Sequence, residues 1–192
     1  MLIKMKNNID YKLNFPDDVK VDVVGDIVKV TGPKGTVEKK MSSHNVKLGS
    51  SGSQVSIKST RSTQREKKLA NTFRAHVKHM VVGVMEGHSY KLKVCSGHFP
   101  MTVTQKGDVL EVKNFLGESK PRLLKIKYGV ELNIQGSDIT ISSPNKELAG
   151  QVAADIEQLT RITNRDRRIF QDGIYIVEKS KARPIVLEEV AE

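Results

Sequence analysis

Apolar residues alternate with polar ones over many short stretches of the chain. Two examples are Ile27-Val28-Lys29-Val30-Thr31 and Val55-Ser56-Ile57-Lys58, in a sequence where Gly, Pro, Ser and Asp residues separate such stretches. A period of two residues places the apolar side chains on one face of a β-strand, and the separating residues favour tight turns. The pattern therefore predicts a series of antiparallel strands.

Two longer segments instead repeat apolar residues every three or four positions, which is typical of an amphipathic helix. The first carries Leu69, Phe73, Val77, Met80 and Val84, and the second carries Leu148, Val152, Ile156 and Leu159. Thr63 and Glu66 have the spacing of a capping box before the first helix. Ser143 followed by Pro144 predicts an N-cap and a first helical residue for the second.

Landmarks of the first half recur in the same order in the second half. Tyr11-Lys12-Leu13 with Phe15-Pro16 recurs as Tyr90-Lys91-Leu92 with Phe99-Pro100, and Gly25-Asp26 recurs as Gly107-Asp108, at an offset of 107 − 25 = 82. The segment from Ser53 to Ile57 recurs as Ser137 to Ile141, and Leu69-Ala70 recurs as Leu148-Ala149, at an offset of 148 − 69 = 79. Strand alternation does not explain the shared Gly-Asp and Phe-Pro pairs, so we predict an internal duplication.

The predicted fold class is α+β, because strands run together and one helix closes each copy. We expect two tandem, duplicated domains, each a small and mainly antiparallel sheet packed against one helix. Their predicted bounds are residues 1–85 and 86–179, with residues 180–192 as a flexible, acidic tail.

The charge balance points to a polyanionic partner. The chain holds 32 Lys and Arg residues against 22 Asp and Glu, a net charge of +10, which favours nucleic acid. No apolar stretch approaches the ~18 residues of a membrane span, and the N-terminal residues lack the hydrophobic run of a secretory signal. We expect a cytoplasmic protein, in which the single Cys95 is a small structural hydrophobe rather than a reactive thiol.

No residue pattern predicts catalysis. His76 and His79 share a helix face, but no further ligands accompany them. The segment Gly32 to Thr36 lacks the spacing of a phosphate-binding loop and is predicted to be a hairpin turn that carries one lysine. We therefore expect no enzyme activity, no cofactor, no metal and no small-molecule substrate.

Basic residues form three groups, within residues 58–79, 113–127 and 161–183. The first group is equally consistent with a solvated helix face. The second includes Lys120 and Arg122, and the third includes Arg161, Arg165, Arg167, Arg168 and Lys179. The segment 163–179 has no counterpart after the first helix, so we interpret it as an addition to the duplicated scaffold.

This added segment has the residue types that bind RNA. Arginine guanidinium groups match paired phosphate oxygens, Asn164 and Gln171 reach sugar or base edges, and Gly173 allows the close approach of another backbone. Tyr175 is predicted either to stack on a base or to pack within the protein, and Phe170 is a weaker candidate of the same kind. Few aromatic residues are present, so we expect recognition of folded RNA by shape and backbone.

Several stretches resemble the ribosomal protein L-six family, called L-nine in eukaryotes, in its archaeal and eukaryotic branch. They are GPKGTVEKK at 32–40, TFRAHVKHMVVGV at 72–84, YKLKV with HFP within 90–100, NFLGE at 114–118, GQVAADIEQLTRI at 150–162 and FQDGIYIVEK at 170–179. The resemblance implies two related α+β domains and a structural role in the large ribosomal subunit, beside other ribosomal proteins.

It also implies binding to ribosomal RNA near the sarcin–ricin loop and the stalk base, mainly through the second domain. Carried onto this sequence, the implied RNA-binding residues are Lys146, Arg161, Arg165, Arg167, Arg168, Gln171, Gly173 and Tyr175. The alternatives that stay open are a non-ribosomal RNA-binding or RNA-chaperone protein, a membrane-surface protein and, without a visible catalytic constellation, an RNA-modifying or RNA-processing enzyme.

Overall fold

The computed structural model describes residues 8–16, 18–51, 54–180 and 189–190. The described residues up to Gly87, together with Glu189 and Val190, form a first compact unit, and His88 to Ser180 form a second. Most of the expected tail lies outside the described residues.

The first unit contains strands β1 (Ile9–Asn14), β2 (Lys20–Val24), β3 (Ile27–Gly32), β4 (Gly35–Lys40), β5 (Val46–Ser51) and β6 (Gln54–Ser59), then helix α1 (Gln64–Met85). The second contains β7 (His88–Cys95), β8 (Thr102–Lys106), β9 (Val109–Lys113), β10 (Arg122–Lys125), β11 (Glu131–Gln135) and β12 (Asp138–Ser143), then helix α2 (Lys146–Leu159) and β13 (Gly173–Glu178). The last described strand is β14 (Glu189–Val190), which belongs to the first unit.

Each unit contains two antiparallel sheets, where the sequence predicted one. The first unit has a four-stranded sheet of order β14-β1-β6-β5 and a three-stranded sheet of order β2-β3-β4. The second has the matching orders β13-β7-β12-β11 and β8-β9-β10. The predicted α+β class and the duplication are both confirmed by this repeated topology and by the one α-helix described in each unit.

The repeated landmarks make the same contacts in both copies. Tyr11 lies opposite Ile57 across β1 and β6, and Tyr90 lies opposite Ile141 across β7 and β12. Each Gly-Asp pair forms the turn between two strands, with a positive φ of 61° at Gly25 and 59° at Gly107, which glycine adopts without strain.

The aspartates of these turns hold the next loop in the same way. The carbonyl oxygen of Asp26 accepts a hydrogen bond from the Met41 N–H at 2.6 Å, and that of Asp108 accepts one from the Ile126 N–H at 2.7 Å. Met41 and Ile126 therefore occupy equivalent positions, and so do the loops that follow them.

One prediction about the duplication requires correction. Strand β13, inside the segment 163–179, does have a structural counterpart, because β14 pairs with β1 as β13 pairs with β7. The sequence comparison missed this strand because its counterpart lies at the far end of the chain rather than directly after α1.

Both predicted helix stripes pack into the cores. In the first unit Phe73, Val77, Met80 and Val84 are buried, and in the second Val152 and Ile156 are buried. Gly150 allows α2 to lie close to the sheet, because a Cβ there would meet the Tyr90 hydroxyl at 3.1 Å. The Gly32–Gly35 hairpin is confirmed: Lys34 lies at its tip and its ammonium donates to the Glu86 carbonyl oxygen.

The two helix N-termini differ from their predicted caps. Thr63 is the N-cap of α1 but its side chain makes no capping hydrogen bond, and the Glu66 carboxylate instead accepts from the Asn45 amide at 2.9 Å. In α2 the N-cap is Asn145 rather than Ser143, and its side-chain oxygen accepts from the N–H groups of Glu147 at 3.0 Å and Leu148 at 3.4 Å.

These caps give a matched test in the full-length chain. We expect Asn145→Ala to lower the free energy of unfolding by about 1 kcal/mol, since it removes acceptors from two helix N–H groups. Thr63→Ala removes no such acceptor and should lower it by less than half as much. Urea denaturation followed by circular dichroism measures both; equal losses would contradict the observed caps.

Candidate nucleic-acid interface

The segment that follows α2 is fixed to the end of this helix. The Thr160 hydroxyl, which is buried, accepts a hydrogen bond from the Ile174 N–H at 2.9 Å. The Glu157 carboxylate accepts one from the Ile176 N–H at 3.3 Å. Two side chains from the last turn of α2 thus position the beginning of β13.

A buried carboxylate holds the other side of the segment. Asp172 is 4% exposed and accepts from the N–H of Gly97, the N–H of His98 at 3.2 Å and the His98 Nδ1 at 3.1 Å. Burial alone raises the pKa of this carboxyl, but the three donors together outweigh burial and lower the pKa below its ordinary value. The carboxylate therefore remains ionised and joins β13 to the loop after β7.

Between these two anchors the chain makes a tight turn. The Asp166 carbonyl oxygen accepts from the N–H groups of Ile169 at 3.1 Å and Phe170 at 2.9 Å. The Asp166 carboxylate accepts from the Arg168 backbone N–H at 2.9 Å and pairs with its guanidinium at 2.8 Å. The side-chain hydrogen bond from Arg168 is the main cause of a lowered pKa at Asp166.

The acidic residues of this segment are all engaged within the unit. Asp166 pairs with Arg168, Asp172 with His98, and Glu178 with Lys91 at 2.9 Å. Arg161, Arg165 and Arg167 are exposed and none of them forms a salt bridge with a described residue. The segment therefore presents a net positive surface, although its sequence alternates acids and bases.

Four of the predicted residues line two neighbouring grooves. One groove of about 420 Å³ is lined by Arg161, Arg167 and Tyr175, among others. The second, of about 720 Å³, is lined by Arg167, Gln171 and Tyr175, together with Cys95 and His98. Arg167 and Tyr175 border both grooves, and Arg165 lies over the ring of Phe170 at 5.0 Å, a cation–π contact.

Tyr175 is held in place while its ring stays 40% exposed. Its hydroxyl donates to the Gln171 carbonyl oxygen at 3.0 Å, and its ring lies 3.3 Å from where a Cβ on Gly173 would be. Gly173 is buried, so the space made by its missing side chain is filled by this ring rather than left for an RNA backbone. Burial is the main cause of the raised pKa of Tyr175.

Arg122 is committed to contacts within the second unit. Its guanidinium pairs with Glu118 at 2.6 Å, donates to the Leu159 carbonyl oxygen at 2.6 Å and lies 4.3 Å from the centre of the Phe115 ring. These contacts join β10 to the end of α2. The structure therefore gives Arg122 a positioning role, while Lys120 in the preceding loop is exposed.

The remaining predicted residues are spread over the unit. Lys146 begins α2 and Arg161 follows its end, and the fourteen residues of this helix correspond to about 21 Å of helix rise, so the structure does not bring the two together. Asn164 occupies the left-handed region with φ 58°, and Lys179 is exposed just after β13.

Two exposed residues beside Tyr175 were not among the residues predicted from the sequence. Lys93 lies directly opposite Tyr175 across β7 and β13, and Ile169 is 62% exposed in the turn. The alternation of YKLKV carried the signal for Lys93, because Leu92 is buried and its neighbours must then face solvent.

The expectation for Cys95 is wrong for the same reason. Cys95 lies on the same face of β7 as Lys93, and its thiol is exposed rather than packed in the core.

No helix among the described residues is long and apolar enough to cross a membrane. The described residues also contain no cluster of three or more His, Cys, Asp or Glu side chains that would hold a metal ion. His76, which the sequence offered as a possible metal ligand, lies beside Lys39, whose ammonium is 3.1 Å from the His76 Nδ1.

A duplicated α+β scaffold that presents an arginine-rich surface defines the class of protein, and comparison with known proteins defines its family. The family model described as Ribosomal protein L6 matches residues 15–87 and 99–173, one segment in each unit. The chain belongs to the ribosomal protein L6 family, which confirms the predicted resemblance.

Archaeal relatives match along most of the chain. The large ribosomal subunit protein uL6 of Nanoarchaeum equitans is 42% identical over 94% of this chain and 97% of its own length. The protein of the same name from Methanosarcina mazei is 40% identical over 92% of this chain and 100% of its own length. That from Methanococcus vannielii is 39% identical, over 88% and 93%.

Proposed function

We propose that this protein is a structural constituent of the large ribosomal subunit that binds ribosomal RNA mainly through its second unit. Membership of the L6 family supports the ribosomal role. In this proposal the protein catalyses no reaction. It holds RNA segments in place beside neighbouring ribosomal proteins in the cytoplasmic ribosome. As the resemblance implies, the proposed contact lies near the sarcin–ricin loop and the stalk base.

One observation carries the proposal: Arg161, Arg165 and Arg167 are exposed together on one segment whose acids are already paired. An ion-paired arginine must give up its partner before it binds a phosphate, whereas these three need not. Guanidinium groups donate two parallel hydrogen bonds to phosphate oxygens. The segment is thus suited to the RNA backbone.

Rigidity supports the same conclusion. The segment is fixed at one end by Thr160 and Glu157 and at the other by Asp172, so its arginines are positioned before RNA arrives. A surface that is already ordered loses less conformational entropy on binding. To the predicted set we add Lys93, which lies beside Tyr175, and we assign Arg122 to positioning.

The proposal is tested by binding of the purified full-length protein to large-subunit ribosomal RNA across a salt series. We expect affinity to fall by about 0.7 to 0.9 log units per log unit of salt for each neutralised phosphate. An unrelated RNA of equal length should bind far more weakly. Equal affinity for both RNAs would favour an RNA chaperone, and affinity independent of salt would contradict the phosphate contacts.

Substitutions at Tyr175 distinguish base stacking from charge attraction as sources of RNA affinity. We expect Tyr175→Ala to weaken binding to large-subunit RNA by about 5- to 10-fold, because base stacking on an aromatic ring is worth roughly 1 to 3 kcal/mol and this ring is only partly exposed. Tyr175→Phe keeps the ring and should stay within about 2-fold of the wild type. An equal loss in both variants would show that the hydroxyl bond to Gln171 matters, not the ring.

A further inference from the structure

The first unit carries a basic groove that the proposed RNA surface does not use. It is an open groove of about 810 Å³ between the loop after β4 and the first turns of α1. Its lining includes Ser42, Ser43, His44, Arg65, Lys68 and Thr72. Hydroxyl, imidazole and cationic groups therefore share one concave surface, and no carboxylate is among its described lining residues.

The two cations that line the groove are accessible to a ligand. Arg65 and Lys68 are exposed, lie one turn apart on the same face of α1, and form no salt bridge with a described residue. Glu66, the acid between them in sequence, is 6% exposed and accepts the hydrogen bond from Asn45. The helix thus directs its acid inward and its two cations to the groove.

The loop that forms the other wall is ordered by its own contacts. Asn45 joins it to α1 through Glu66, and the Ser43 hydroxyl accepts from the Val46 N–H at 3.3 Å. The Met41 N–H donates to the Asp26 carbonyl oxygen, so the turn at Asp26 holds the start of this loop. The groove therefore has two fixed walls.

The duplication relates this groove to the same part of the second unit. Since Met41 and Ile126 are equivalent, residues 42–45 correspond to 127–130. The helix offset of 79 places Arg65 and Lys68 at Pro144 and Glu147, whereas Lys67, which corresponds to Lys146, does not line the groove. The two cations of the groove are therefore particular to the first unit.

We infer that the groove of the first unit binds the phosphate backbone of ribosomal RNA, as a second contact of the protein with the large subunit. This inference rests on the proposed function. Two cations one helical turn apart suit successive phosphates, and the serine hydroxyls and His44 suit phosphate and ribose 2′-hydroxyl oxygens. The open shape admits a continuous strand, and the positive lining disfavours a basic protein segment.

The test uses the full-length protein with purified large-subunit ribosomal RNA. We expect Arg65→Gln/Lys68→Gln to weaken binding by about 10- to 30-fold and to lower the log–log salt slope by about 1.4 to 1.8, the value for two phosphates. In hydroxyl-radical footprints, this double variant should leave some nucleotides unprotected. The same nucleotides should remain protected when Arg161, Arg165 and Arg167 of the segment that follows α2 (the post-helix segment) are replaced. The matched control is Lys20→Gln/Lys47→Gln, two exposed lysines of the first unit outside the groove that form no salt bridge with a described residue.

The outcomes distinguish this inference from the proposed function. If the wild type lacks salt-dependent affinity for the RNA, the proposed function fails. If it binds but the groove variant matches the Lys20/Lys47 control in affinity and footprint, only the groove inference is overturned. Unchanged RNA affinity, together with loss of cross-links to a ribosomal protein in assembled large subunits, would also overturn it, in favour of a protein partner. Circular dichroism melting must show that both variants are folded.

Discussion

Replacement of Arg161, Arg165 and Arg167 by glutamine is expected to weaken binding to large-subunit RNA on the order of 100-fold. Each lost phosphate contact costs about 1 kcal/mol net, and three such contacts correspond to about two factors of ten. The log–log salt slope should also fall by about 2.1 to 2.7, the value for three phosphates. Filter binding across a salt series measures both quantities.

The control removes the same charge elsewhere. Lys20, Lys40 and Lys47 are exposed in the first unit, form no salt bridge with a described residue and line none of the described grooves. Their triple glutamine variant should lose less than about 5-fold. A loss equal to that of the arginine variant would show that net charge, and not the post-helix segment, governs binding.

Arg168 provides a sharper comparison within the segment itself. Its guanidinium pairs with Asp166, whereas Arg167 borders both grooves. We therefore expect Arg168→Gln to weaken binding several-fold less than Arg167→Gln. The reverse order would show that the Asp166 pair breaks when RNA binds.

Loss of the Asp172 carboxylate should have the largest effect on stability. Asp172→Ala removes the buried carboxylate that accepts from the N–H groups of Gly97 and His98. A hydrogen bond to a charged group contributes about 1.5 to 3 kcal/mol, and water can reach the two donors because Gly97 and His98 are exposed, so we expect the second unit to lose about 2 to 3 kcal/mol in its free energy of unfolding. Asp166→Ala, at an exposed turn, should cost clearly less, because solvent screens its ion pair with Arg168.

Urea denaturation of the full-length chain measures these losses. RNA binding should weaken as well in Asp172→Ala, because the post-helix segment loses its second anchor. A variant that is as stable as the wild type would contradict the assigned role of the carboxylate.

The lowered pKa of Asp172 also fixes the sign of a pH effect. A carboxyl whose pKa is lower in the folded state contributes stability above its unfolded pKa, about 3.9, and loses this contribution as the pH falls through the folded pKa. The wild type should therefore lose more stability than Asp172→Asn when the pH is lowered from about 5 to 2. Parallel curves would contradict the pKa direction.

Features that depend on local contacts were predictable from the sequence. The Gly-Asp turns, the helix stripes and the Gly32–Gly35 hairpin all arise between residues close in the chain, where periodicity and backbone preference act directly. The duplication was visible because its landmarks make the same contacts in both copies, as Tyr11 with Ile57 and Tyr90 with Ile141 show.

Features that depend on distant partners were not predictable. Arg122 resembled a free cation in sequence, yet its acceptors include the carbonyl oxygen of Leu159, 37 residues away. The pairing of β14 with β1 joins opposite ends of the chain. Likewise the alternation of acids and bases in the post-helix segment did not show which arginines are paired, since this depends on the turn at Asp166 and on the Asp172 anchor.

The native Cys95 permits a direct test of whether RNA lies against the grooves of the second unit. Its thiol is exposed and borders the same groove as Arg167 and Tyr175. An iron–EDTA group attached to Cys95 should cleave large-subunit RNA at a confined set of nucleotides once the labelled protein is bound. The same group on a Cys95→Ser/Lys20→Cys variant should not cleave those nucleotides. If the labelled protein still binds the RNA but no cleavage from Cys95 is seen, RNA binding at these grooves is contradicted.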